Sequence, residues 1–430
     1  MTIRGAIAAL LVAAAFVSSW NAVTIAGIQP GDMLLGIALF LSILYLANGE
    51  IPWVPVWARI GTVCILTVTV THLIAPTSAA YMSQRFVYVP WTMIASGQEV
   101  VDNGAIRGAK WLLAALMLPI LVIETARYRP ALVPRIANAW LAGVSVSSLI
   151  AVTDLLGFTS INITLILLGA ATERQAGLTS HPNHLGLAAA LAAPLAIRLA
   201  MRSRIKGVAV LLLLALGAVV SGSRAGQAGF VLAVALTIAW TGRAWRLLPG
   251  IAFAAGLSLA ALVWVRPNLV ESTSDFFRIG STDRMVVQAN EERSSLAQQG
   301  VADFIERPVD GIGLEAIAQA HNIYLQLLAS GGLILLAGML LYFGGVLRAA
   351  YAERNDPDPL GVCLLIAVVV WMAAGAFGNQ ITDRYLYFPV ALIAGLQALR
   401  ARERREARRV AAISGLKLAR AYSADACTTA

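Results

Sequence analysis

Charge is scarce in this chain. Only 13% of its 430 residues are charged, about half of the roughly 25% usual in a soluble domain. Cysteine is scarcer still. Of three in all, Cys64 and Cys363 fall within apolar runs and Cys427 lies in the C-terminal tail. That excludes a disulfide framework and any familiar metal-ligand spacing. Two catalytic carboxylates with a double-displacement logic are also lacking.

What is abundant is apolar sequence, at 59% of residues. It comes in runs of about 17 to 23 residues separated by short polar loops, the pattern of a polytopic helical membrane protein. The fold class expected is all-α, with about 12 transmembrane helices at 4–23, 31–47, 58–76, 109–126, 136–153, 184–201, 207–221, 225–241, 247–265, 321–347, 360–378 and 384–399. Lipid offers no partner to backbone N–H and C=O groups, so each span must be helical. The first span has the basic flank and small residues of a cleaved signal peptide, but its apolar run is longer, which favours a retained helix. The chain divides into nine spans over 1–265, a large outer loop over 266–320, three spans over 321–399 and a basic tail over 400–430.

Arginine sets the orientation. With the N-terminus in the cytoplasm, the inner loops hold Arg127, Arg129, Arg135, Arg198, Arg202, Arg204, Lys206, Arg243, Arg246, Arg348 and Arg354. The tail adds Arg400, Arg402, Arg404, Arg405, Arg408, Arg409, Lys417 and Arg420. Roughly two thirds of the basic residues then lie inside, as the positive-inside rule requires. The net charge of +9 therefore reports topology and tail contact with anionic headgroups, and no nucleic-acid partner is expected. Basic residues are almost all arginine and alanine is abundant, a composition that points to a high-GC bacterium.

Three fragments on the outer side carry chemistry. In "HPNHLG" (181–186), Asn183 is read as a helix N-cap, and His181 and His184 flank it. In "SGSRAG" (221–226), Arg224 stands between two spans with almost no loop, where a charge is costly and usually functional. Its structural alternative is an interfacial anchor. In "AHNIYLQLLASGG" (320–332), His321 and Asn322 open an apolar span, and Tyr324 on its own would be an aromatic-belt residue. The loop before it contains a run from Glu291 to Glu306, read as an amphipathic helix over the membrane face and stopped by Pro308. "GIG" at 311–313 is read as a flexible turn. Asp383 and Arg384 sit at the last outer turn, either as a helix-end pair or as acceptor-side support.

These fragments, with "ERSSLAQQGVADFIERPVDGIG", resemble in kind and order the signatures of the O-antigen ligase and O-antigen polymerase superfamily. The resemblance spans residues 177 to about 332. The tryptophan often found three or four residues after the second arginine of that family is replaced by Leu296 and Ala297.

The resemblance implies a GT-C-like membrane fold. It also implies a transferase that moves a glycan from a polyprenyl-pyrophosphate carrier to an acceptor at the outer leaflet, with no metal and no cofactor. Arg224 and Arg293 take the positions that grip the pyrophosphate, and His321 takes the catalytic one. The remaining candidates, for the acceptor or in support, are His181, Asn183, His184, Asn322, Asp383 and Arg384. The expected partners are the carrier-linked donor, a glycan or lipid acceptor and membrane lipids.

Elementary chemistry agrees. Guanidinium forks match phosphate oxygens, and a neutral imidazole accepts a proton from a sugar hydroxyl. A polymerase of the same superfamily shares the donor and leaving group. A transporter would need ionisable residues near the midplane and inverted repeats, and neither pattern is evident.

Overall fold

The computed structural model describes residues 2–25, 28–46, 54–85, 104–161, 174–242, 244–247, 249, 256, 284–314, 320–378 and 380–428. Apart from positions 247, 249 and 256, the expected ninth span lies outside the described residues. Regular structure among the described residues is helical, with one isolated bridge between Ile25 and Ile28.

The helices are α1 (Ile3–Val17), α2 (Pro30–Leu46), α3 (Val56–Ile74), a short α4 (Ala79–Gln84) and α5 (Gly104–Tyr128). Then come α6 (Leu132–Leu155), α7 (Pro182–Arg202), α8 (Arg204–Val220) and α9 (Arg224–Thr241). The last are α10 (Arg284–Glu306), α11 (Ile323–Tyr351), α12 (Leu360–Ala374) and α13 (Arg384–Thr428). By length and composition α3, α5, α6, α7 and α11 are long and apolar enough to cross a bilayer, and α1, α2 and α12 are shorter apolar helices. This is the build of a multi-pass membrane protein. The basic tail is no separate element, because α13 runs unbroken through residue 400. Alanine, arginine, glutamate and leucine are all strong helix formers and nothing there stops the helix.

The centre of the bundle is α7. Every residue from Leu185 to Arg198 is buried, and most are alanine, glycine or leucine. Small side chains let neighbouring backbones close in on all sides, the main source of helix association where lipid removes the hydrophobic drive. At one end of α7 the buried Arg198 pairs with Asp358 at 2.5 Å. At the other end, Gly186 of α7 meets Gly226 of α9 backbone to backbone, and a Cβ on Gly226 would lie 2.6 Å from Gly186.

Proline leaves a gap in α5 that another helix fills. Pro119 has no N–H for the carbonyl of Ala115, four residues back. A π-helical turn occupies Leu113–Met117, and the hydroxyl of Tyr342 donates to the Ala115 carbonyl at 2.8 Å. Around Tyr342 the edge-on rings of Trp57, Phe343, Trp371 and Tyr387 join α3, α11, α12 and α13.

The "GIG" segment is not a flexible turn. It is a strap hydrogen-bonded into a break in α11. Gly332 leaves the helical conformation at φ 58°, ψ −154°, which frees backbone groups on both sides of it. The strap takes them up. Ile312 and Gly313 donate to the carbonyls of Ala329 and Ser330 at 2.9 and 3.0 Å, and Leu333 and Ile334 donate to Pro308 and Val309 at 2.9 and 3.1 Å. Glycine is required because Gly311 and Gly313 have φ of 67° and 112° and a Cβ on Gly311 would stand 2.3 Å from the Gly331 nitrogen.

The run from Glu291 to Glu306 is helical within α10, with Leu296 buried and Val301 and Ile305 exposed. The side of α10 facing the bundle is pinned by charge as well as by apolar packing. Buried Asp303 accepts from Tyr81 at 2.9 Å, from Gln299 at 2.9 Å and from Arg85 through two nitrogens at 2.9 and 2.6 Å.

Gly226→Ala should lower the melting temperature in detergent, since overpacking of backbone against backbone costs about 1–3 kcal/mol. Gly344→Ala, with no atom within 4 Å of its added Cβ, should be neutral or stabilising. Equal melting of the two variants would show that the α7–α9 approach does not depend on glycine.

Candidate active site

Three helix N-termini, those of α7, α9 and α11, lie at the same end of the bundle. Each has a built cap. His181 Nδ1 accepts from Asn183 N at 3.1 Å, Ser223 Oγ from Gly226 N at 3.1 Å, and Asn322 Oδ1 from Tyr324 N and Leu325 N at 2.9 and 3.1 Å. The positive ends of three helix dipoles make this a place for an anion.

The cap of α7 differs from the sequence expectation. It is His181, because Pro182 has the fixed φ and missing N–H that suit the first helical position. Asn183 falls in the first turn instead, and its Oδ1 accepts from Arg174 Nη2 at 2.6 Å. Arg174 also donates through Nε to the carbonyl of Ser221 at 2.9 Å. One guanidinium thus ties "HPNHLG" to "SGSRAG". Gly222, at φ 57°, leaves the room, since a Cβ there would lie 3.1 Å from Arg174 Cγ and Nε. Sequence reading missed Arg174, although the available signal, an arginine on the outer side against the positive-inside bias, was the one used for Arg224.

Arg224 is the first residue of α9. It is exposed and has no ion pair or hydrogen bond with any described residue. Arg293 is half-buried on α10 and close enough to act electrostatically on both His321 and His181. His321 precedes the cap of α11 and so is not part of the helix. Its backbone is left-handed at φ 49°, the only non-glycine residue so placed among the described residues. That conformation is uncommon for a side chain with a Cβ and persists where the surroundings hold it, as functional sites often do.

Burial first, and then the charge of Arg293, pull the His321 pKa down from 6.5 to about 4. The ring is therefore neutral at ordinary pH. His181 is shifted the same way. The residue is exposed at the surface, yet the protein packed around it displaces bulk solvent, and the charges of His184, Arg174, His321 and Arg293 add to that effect.

His184 belongs to a second group. Asn21, beyond the end of α1, accepts at Oδ1 from Ser180 N at 2.7 Å, which orients its amide. Its Nδ2 then donates to His184 Nδ1 at 2.9 Å and to Asp383 Oδ1 at 3.3 Å. In the neutral ring of His184 the proton accordingly sits on Nε2. Asp383 faces His184, with Oδ2 3.9 Å from Nδ1, rather than His321. It does not pair with Arg384 either. Buried Arg384 turns to α2, donating to Gln29 at 2.7 Å and pairing with Asp32, a structural tie between the first and last outer turns. Sequence reading missed Asn21, because a lone asparagine after an apolar run looks like any other helix end.

Part of the sequence has a counterpart among known families. Residues 209–341 match the family model described as O-Antigen ligase. The chain carries an O-antigen ligase-like domain. The match runs from within α8 to within α11, so Arg224, Arg293 and His321 fall inside it and His181 to His184 precede it. No curated protein matches the chain. The α7 end therefore joins the ligase-like domain through three-dimensional contact, by way of Gly186, Arg174 and the electrostatic reach of Arg293.

On a transferase reading of this site, Arg174→Ala should lower activity by roughly tenfold, the worth of about one charge-assisted hydrogen bond, with little change in melting temperature. Arg174→Lys should restore little, because a point charge does not bridge two acceptors as a planar fork does. Full activity in Arg174→Ala would remove Arg174 from the site.

Proposed function

We propose that this protein is a glycan transferase of the O-antigen ligase type. It takes a glycan from a polyprenyl-pyrophosphate carrier and joins it to an acceptor hydroxyl at the outer leaflet of the bacterial inner membrane. About twelve spans in a GT-C-like arrangement hold the site, and the active face is outward. The observation that carries the reading is the meeting of three helix N-termini, two arginines and a neutral histidine at one end of an apolar bundle. The donor's lipid tail stays in the bilayer, so its pyrophosphate lies at the interface, where these groups are.

Arg224 and Arg293 grip the pyrophosphate, and the helix N-termini add fixed partial positive charge. The hydroxyl oxygen of the acceptor attacks the anomeric carbon while the bond from that carbon to the pyrophosphate oxygen breaks. His321 receives the hydroxyl proton, and polyprenyl pyrophosphate leaves with its charge spread over the two guanidiniums. A single displacement inverts the anomeric centre. The depressed pKa of His321 keeps the base form populated, and Arg293 contributes to that as well as to the grip on the donor. His184, its proton on Nε2, is a hydrogen-bond donor to the sugar side. The same chemistry serves a lipid core or a second carrier-linked glycan as acceptor.

In reconstituted vesicles, Arg224→Ala and Arg293→Ala should each weaken donor binding by on the order of 100-fold, for loss of about 2–3 kcal/mol of charge-assisted hydrogen bonding. His321→Ala should leave donor binding nearly intact and lower kcat by about 10²–10⁴-fold. Because His321 is neutral above about pH 4, the acid limb of kcat/KM should lie near pH 4, not near 6.5. The limb of kcat should stand higher, since bound pyrophosphate stabilises the imidazolium. A near wild-type rate in His321→Ala would end the general-base assignment and make His181 the next candidate.

Topology gives an independent check. Single cysteines at positions 181, 224, 293 and 321 should react with an impermeant maleimide from the outer side, and one at 405 only after permeabilisation. Cytoplasmic labelling at 293 would sink both the orientation and the mechanism.

A further inference from the structure

At the end of the bundle away from His321, a groove of about 470 Å³ opens between α3, α11 and α13. Its floor is Trp57, which packs where Gly345 has no side chain, since a Cβ at 345 would meet the Trp57 Cβ at 2.3 Å. Its wall is apolar and open, with Val56 63% and Leu341 59% exposed. Three arginines stand at the rim. Arg400 is committed, being paired with Glu353, the one acid lining the groove, and donating to the Ala352 carbonyl at 2.8 Å. Arg348 and Arg404 are exposed, and neither has an ion pair or hydrogen bond with any described residue. Arg400 answers both Glu353 and Asp356, so Arg348 and Arg404 are the lining cations left without an ionic partner among the described residues, above an apolar slot.

We propose that this groove is a binding site for one anionic phospholipid, its phosphate between Arg348 and Arg404 and one acyl chain along Leu341 and Val56. A free phosphate would leave the slot unfilled, and an apolar tail alone would leave the arginines without partners. Both halves of a phospholipid are needed to match both halves of the groove. The site sits beside Arg400, where α13 is joined to the turn after α11, so a bound lipid would brace the root of the long basic helix. This inference rests on the membrane-spanning reading and not on the transferase reading. Its test measures binding alone, so the two stand or fall separately.

The full-length protein, purified in detergent, is offered equal amounts of phosphatidylglycerol and phosphatidylcholine, and retained lipids are counted by native mass spectrometry. A basic residue near an anionic headgroup is worth about fivefold in affinity, so wild type should favour one phosphatidylglycerol by at least that factor. Arg348→Gln/Arg404→Gln should bring the ratio close to even. Arg408→Gln/Arg409→Gln, which removes the same charge from the helix beyond the groove, should leave it unchanged. The proposal is overturned if wild type shows no preference, if the groove variant keeps it, or if the control variant loses it to the same degree, which would mean diffuse attraction to the basic helix.

Discussion

The arrangement around His321 depends on an exchange of backbone hydrogen bonds. A helix in an apolar surrounding cannot break without leaving polar groups stranded, yet α11 breaks at Gly332. The strap over residues 308–313 supplies the missing partners on both sides of the break. The cost of the break is thereby offset, and the strap is held in register. Two consequences follow. The first half of α11, with Asn322 and His321 at its tip, is fixed independently of the second. The strap also anchors the C-terminal end of α10, the helix that carries Arg293, so one set of backbone bonds positions both the histidine and the arginine that acts on its charge.

Glycine and alanine govern the remaining geometry. The caps of α7 and α9 share one recess because Gly186 and Gly226 let two backbones meet, and Gly222 makes space for the Arg174 side chain. Larger residues at these points would part the helix ends and spread their dipoles over separate patches of surface. The positive potential at this end of the bundle thus comes from packing as much as from side chains, which suits the pyrophosphate donor proposed above. An anion placed there is met by pre-oriented groups, and little reorganisation is left for the moment of reaction.

The charged residues divide by burial and by partner. Arg198, Arg384 and Asp303 are paired within the fold, and each fastens one element to another. Arg224, at the site, and Arg348 and Arg404, at the opposite end, are exposed cations without such partners. Cations left open at both ends of an apolar bundle suit anions that approach from the two interfaces, where lipid phosphates reside.

The sequence by itself determined the class of the protein. Long apolar runs admit only helices in lipid, and the arginine bias puts "HPNHLG", "SGSRAG" and "AHNIYLQ" on one side of the membrane. Local chemistry also singled out Arg224, because a charge beside an apolar span is costly and stands out, whereas Arg293 and the role of His321 came from the family resemblance. Tertiary structure alone decided how those fragments meet. Arg174 and Asn21 gain their roles from neighbours up to 362 residues away in the chain, and no local pattern encodes such a contact. Asn183 lost its cap to His181 because a proline shifted the helix start by two residues, a shift that hydropathy does not resolve. The "GIG" strap looked flexible because glycine in a loop usually confers freedom. Here glycine is present because the backbone of α11 is too close for a side chain, and that proximity exists only once the chain has folded.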